Sequence, residues 1–105
     1  MLFRSRLTEA DLAELVVRQA GILDAAALLV RKHGRLVYAT CALLEEENEA
    51  QVMHFLDRHP GFSLVPLARA WPFDGAPPCG GDFLALTPAR HGTDGFFAAV
   101  LERTA

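Results

Sequence analysis

The chain has 105 residues, 51% of them hydrophobic and 22% charged, which fits a single globular domain or part of one and excludes a disordered polymer. A compact chain of this size buries roughly 65% of the surface its unfolded form exposes, so a real core is affordable. The formal net charge of -3 argues against a free-standing nucleic-acid binder, which needs clustered Lys and Arg to neutralise phosphates.

No apolar run approaches the ~20 residues that span a bilayer, and no basic segment followed by an apolar signal core opens the chain, so a cytoplasmic location is expected. The two cysteines, Cys41 and Cys79, are far apart and form no CxxC pattern; neither a structural zinc site nor a redox pair is indicated, and no metal ligands are assigned.

Thr8 followed by Asp11 reads as a helix-opening cap. From there Leu12, Leu15, Val16, Gln19, Leu23, Ala26, Ala27 and Val30 recur at three- and four-residue intervals, which predicts a helix over about residues 8–32. Arg31, Lys32 and His33 are expected in its last turn, at the negative end of the helix dipole, with Gly34 as the stop. Leu36, Val37, Tyr38 and Ala39 then run without polar alternation, which predicts a strand over 35–40 buried on both faces, as in the interior of a parallel sheet. In such sheets ligands collect beyond the carboxyl ends of the strands, and the residues delivered there are Thr40 and Cys41. By spacing alone Cys41 also suits a small buried apolar side chain.

Glu45, Glu46 and Glu47 open the next helix, expected over 46–58, as a solvated acidic start favoured by the dipole. Neighbouring helix positions diverge, so the three acids do not converge on a metal ion. Val52, Met53, Phe55 and Leu56 form the apolar stripe, and Pro60 with Gly61 ends the element. His54 and His59 miss the spacing of a helical metal pair and are read as surface residues. A strand over 62–66 completes a strand-helix-strand unit. Residues 67–82 are rich in Pro and Gly and read as a loop anchored by Trp71 and Phe73, with Cys79 incidental to it. Short strands over 83–87 and 95–102 follow, the latter suited to a buried interior position, and between them Arg90 and His91 are candidates to meet a phosphate or a substrate base.

The run Tyr38, Ala39, Thr40, Cys41, then Glu46, Glu47, Asn48, and later Asp94, Gly95, Phe96, Phe97, resembles the Sun/Fmu (RsmB-like) RNA cytosine-5 methyltransferases. Their pattern is an apolar strand, Thr-Cys-Ser, Pro-Glu-Glu-Asn and a closing Asp-Gly-Phe-Phe. The resemblance runs from about Leu7 to Arg103 and departs at Ala42, where the family has serine, and at Glu45, where it has proline. It implies an α/β fold: the carboxy-terminal half of a class I (Rossmann-like) S-adenosylmethionine-dependent methyltransferase sheet, ordered helix-strand-helix-strand and closed by an antiparallel last strand. Strand 35–40 is then the fifth of seven, 62–66 the sixth, and 95–102 the seventh, running antiparallel between them.

The same resemblance makes Cys41 the nucleophile toward C6 of a cytosine in ribosomal or transfer RNA, with Thr40, Arg90 and His91 as substrate-binding candidates. S-adenosylmethionine is implied for the complete enzyme. The Gly-rich turn, the ribose-binding acid and the Asp-x-Pro-Cys segment of the family do not occur in this sequence, so no cofactor is expected to bind this chain alone, and the chain alone is expected to be inactive. RNA is the implied partner of the complete enzyme. The edge at 35–40 is expected to pair with a second copy or with a complementing amino-terminal half. A different class of function stays open beside this one: a non-catalytic α/β assembly or dimerisation module derived from the fold. A redox-sensing thiol is a third, weakened by the lack of a nearby resolving cysteine.

Overall fold

A computed structural model describes residues 8–41, 45–86 and 95–105. The elements follow in the order α1 (Glu9–Ala27), β1 (Arg35–Thr40), a short 3-10 helix (Glu45–Glu47), α2 (Glu49–Arg58), β2 (Phe62–Val65), α3 (Leu67–Ala70), β3 (Leu84–Leu86) and β4 (Phe96–Arg103). The sheet is organised around β4, whose neighbours are all antiparallel to it. β1 lies along one edge of β4, pairing Thr40 with Phe97 and Leu36 with Leu101. β2 and β3 follow one another along the opposite edge, Leu64 facing Leu101 and Leu84 facing Ala98. Strands β1 and β2 are therefore parallel to each other with β4 between them, the order expected of the fifth, seventh and sixth strands.

The core lies where α1 and α2 cover one face of this sheet. Because strand side chains alternate, Phe97, Ala99 and Leu101 of β4 point to that face. They join Leu23 and Ala27 of α1, Val52 and Phe55 of α2, and Phe62 of β2 in one cluster. Phe55 meets Phe62 edge to face at 5.3 Å, and Tyr38 meets Phe97 in the same manner at 6.4 Å. Met53, one position off the buried stripe of α2, is exposed. On the second face α3 and the segment after it cover Val65 and Val100, leaving an apolar cavity of about 210 Å³ bordered by Trp71, Phe73, Leu84 and Ala98.

Several expectations are corrected. Strand β1 is not buried on both faces: its residues alternate exposed and half-buried, and Val37 is 61% exposed. The helices cover one face of β1 only, and among the described strands β1 has a single neighbour. Strand β4 does take the interior position expected of it, its residues alternating buried and half-buried, with Phe96, Ala98 and Val100 half-buried.

Helix α1 stops at Ala27, so Arg31, Lys32 and His33 are not in its last turn, and His33 rather than Gly34 takes a left-handed backbone, with φ of 69°. The cause is β4. Arg103 accepts the His33 N–H at 2.7 Å, donates its own N–H to Gly34 at 2.9 Å, and extends its guanidinium to the Val30 carbonyl at 2.7 Å. Gly34 fits here because a Cβ would come within 2.9 Å of the Arg31 carbonyl oxygen.

The acidic run forms a 3-10 turn ahead of α2, and Glu47 in it is buried, not solvated. The Pro/Gly segment contains the short helix α3, begun at Pro66. His59 is half-buried and not a free surface residue: it stacks on Phe55 at 4.3 Å and reaches Asp24 of α1 at 2.7 Å.

Candidate active site

The carboxyl end of β1 carries Thr40 and then Cys41, and the two differ sharply in environment. Cys41 continues the exposed alternation of Arg35, Val37 and Ala39 and is open to solvent. Thr40 belongs to the alternate set with Leu36 and Tyr38, facing the helices. Its hydroxyl donates to the Asn48 side-chain oxygen at 2.5 Å. Two residues earlier, the Tyr38 hydroxyl donates to the Glu47 backbone carbonyl at 2.6 Å. The strand end that bears the thiol is thus bound at two points to the turn that opens α2.

That turn is itself held from behind. Glu47, Asn48 and Gln51 are all buried, and Glu47 is only 1% exposed. Gln19 of α1 donates to the Glu47 carboxylate at 3.2 Å. Gln51 of α2 donates to the Val16 carbonyl at 2.9 Å and to the Gln19 side-chain oxygen at 3.3 Å. Buried polar groups of this kind are costly unless partnered, and here Glu47 and Gln51 find partners on α1 and Asn48 finds one on β1. Burial, and then the negative charge of Glu47, pushes the Tyr38 phenol up to about 12. It is a hydrogen-bond donor here and not an acid catalyst at neutral pH.

Cys79 lies elsewhere. Its sulfur accepts the Ala85 N–H at 3.4 Å and faces the Phe83 carbonyl at 3.6 Å, which ties the preceding loop to β3. Arg90, His91 and the Asp94 of the closing motif lie outside the described residues. Among the described residues no group of His, Cys, Asp or Glu is arranged to hold a metal ion. No helix among them is long and apolar enough to cross a membrane. Sequence reasoning singled out Thr40 and Cys41 but missed the rack behind them. Gln19 lies within the apolar stripe of α1 as a polar residue, which is the available signal, whereas Gln51 lies just before the stripe of α2 and carries none.

The family model described as 16S rRNA methyltransferase RsmB/F matches residues 3–102. A ribosomal RNA small subunit methyltransferase B of Thermus thermophilus is 38% identical over 100 residues, covering 95% of this chain and 24% of its own length. Among solved structures, PH0851 is 43% identical with a TM-score of 0.79, covering 95% of this chain and 22% of that one. NSun6 from Pyrococcus horikoshii, crystallised with SFG, is 32% identical with a TM-score of 0.69, covering 86% of this chain and 22% of that one. The chain thus spans between a fifth and a quarter of the length of these relatives. With the strand order, the Thr40-Cys41 strand end and a match across nearly all its residues in agreement, the chain belongs to the RsmB/F family of 16S rRNA methyltransferases.

Proposed function

We propose that this chain supplies the nucleophile-bearing part of an RNA cytosine-5 methyltransferase acting on small-subunit ribosomal RNA, with Cys41 as the nucleophile. The observation that carries the reading is an exposed thiol at the carboxyl end of β1, directly after Thr40, in a chain of this family. Cysteine suits the task because its thiolate is intrinsically nucleophilic, and a fixed strand end places it with little entropic loss at the moment of attack. The sulfur forms a bond to C6 of the cytosine, and the C5=C6 electron pair moves toward C5. Once C5 has gained its methyl group and gives its proton to water or another base, the C–H pair restores the double bond and the sulfur leaves with the C–S pair as thiolate.

The family and the SFG-bound relative support S-adenosylmethionine as the methyl donor of the whole enzyme. The described residues do not fit that cofactor. A nucleotide cradle needs a glycine turn joining a strand to a helix amino terminus. Here the helices open at Thr8, Asn48 and Pro66, while Gly34 and Gly61 lead into strands. Donor binding is accordingly assigned to other parts of the enzyme, and the isolated chain is expected to leave RNA unmethylated.

The free side of β1 supports a corollary. Its outer edge, with the exposed Val37, pairs with a strand from the remaining part of the enzyme, since the relatives extend several-fold beyond the matched region. Grafting residues 3–102 into the Thermus thermophilus relative, in place of the segment they match, tests the reading. The graft is expected to form 5-methylcytosine in small-subunit rRNA, and loss of Cys41 is expected to abolish it. A graft that methylates without Cys41 would overturn the assignment.

A further inference from the structure

We infer that Asn48 is a positioning residue for the Cys41 thiol, acting through Thr40 and seated on the buried rack of Gln19, Glu47 and Gln51. The inference deepens the nucleophile reading and rests on it for its functional meaning. Its geometric content stands alone.

Four observations lead to it. The residue immediately before the thiol, besides pairing with Phe97 in the sheet, gives its hydroxyl to Asn48 at 2.5 Å. Asn48 is buried and sits at the junction of the 3-10 turn and α2, yet its side chain makes no capping bond to that helix. An Asn at this position ordinarily serves the helix amino terminus, so here its oxygen is directed to the strand instead. The turn carrying it is tied through Glu47 to the Tyr38 hydroxyl on one side and to the Gln19 amide on the other, and Gln19 in turn accepts from Gln51. Finally, Cys41 itself is exposed, so packing against the described residues does not enclose it. The orientation of the sulfur is inherited from Thr40.

The chemistry explains why such a tie matters. Addition to C6 requires the sulfur on one face of the ring at near-contact distance, and small displacements of a nucleophile cost rate steeply. The ladder to β4 fixes the backbone of the strand end, and the bond to Asn48 adds a side-chain restraint next to the sulfur. Asparagine suits the position that meets Thr40 because its amide oxygen accepts the hydroxyl without adding a charge of its own beside a thiol that must ionise.

The test uses the chain as it is, following alkylation of Cys41 by iodoacetamide against pH, with Cys79 in the same molecule as the internal reference. Asn48→Asp keeps an acceptor for Thr40 but brings a negative charge next to the strand end. It is expected to raise the midpoint of the Cys41 profile by roughly half a pH unit, slowing alkylation at neutral pH roughly threefold, and to leave Cys79 unmoved. A second readout guards against a variant that folds poorly. Thr40→Val is expected to speed amide exchange at Cys41 roughly tenfold, and Thr40→Ser to restore the parent rate. An unmoved Cys41 profile in folded Asn48→Asp, or equal exchange in the Val and Ser variants, overturns the inference. Neither readout needs turnover, so either failure leaves the nucleophile reading intact. That reading fails separately if the graft methylates without Cys41.

Discussion

The Tyr38 hydroxyl donates to the Glu47 backbone carbonyl at 2.6 Å, joining the middle of β1 to the turn that opens α2 across a half-buried gap. Removing it with Tyr38→Phe leaves the ring against Phe97 but takes one hydrogen bond from the carbonyl of a buried residue. The expected loss is about 1–2 kcal/mol in unfolding free energy, read from urea denaturation midpoints. A variant as stable as the parent would mean that water replaces the phenol there.

The same phenol sets an alkaline limit. Its pKa is raised from 10.0 to about 12, first by burial and then by the charge of Glu47. The folded state therefore holds this proton more tightly than the unfolded state. The stabilisation is complete below pH 10.0 and is lost as pH rises through about 12. The parent is expected to lose stability over that range more steeply than Tyr38→Phe, measured by urea melts at several alkaline pH values.

At the acid end the group is Asp24. Its hydrogen bond with His59 holds the carboxyl below its ordinary value of 3.8, helped by Arg58 at 3.0 Å and opposed by partial burial. A depressed carboxyl stabilises the fold above its unfolded pKa, and the contribution disappears as pH falls through the folded value. Asp24→Asn is expected to flatten the acid limb of the thermal stability profile below about pH 4, where the parent declines. Identical acid limbs would show that the link between α1 and α2 carries no measurable coupling.

Phe55 is fully buried between His59 and Phe62, at the centre of the contact between α2 and the sheet. Phe55→Ala is expected to cost about 3–5 kcal/mol. By contrast Val37→Thr, on the uncovered face, is expected to change stability by no more than about 0.5 kcal/mol. The contrast, measured under one set of conditions, checks which face of β1 is the core face.

The edge assignment for β1 has its own signature in hydrogen exchange. In an antiparallel pair only alternate amides of an outer strand are bonded to the neighbour. In the isolated chain, exchange along Leu36 to Ala39 is expected to alternate fast and slow, and to become uniformly slow when the remaining part of the enzyme is supplied. Uniform protection in a chain that sediments as a monomer would contradict this.

Much of this arrangement was legible from the residues. The helix period from Leu12 to Ala27, the cap at Thr8 and Asp11, and the strand order of the sheet follow from spacing and from the resemblance carried by Thr40, Cys41 and Asn48. What spacing did not disclose was tertiary. The run Leu36 to Ala39 is apolar at every position, so sequence could not show that only one of its faces is covered. Glu47 looks like a solvated helix opener until Gln19 and Tyr38 close over it, and His59 looks free until Asp24 arrives from a residue 35 positions away. In each instance the deciding partner lies far along the chain, where local propensity carries no information.

The most direct measurement is the yield of 5-methylcytosine in small-subunit rRNA from the graft of residues 3–102 into the Thermus thermophilus relative, compared among the parent graft, Cys41→Ala and Cys79→Ser. Methylation by the parent and Cys79→Ser grafts, with none detectable from Cys41→Ala, is the outcome this account requires. Undiminished product from the Cys41→Ala graft would contradict it.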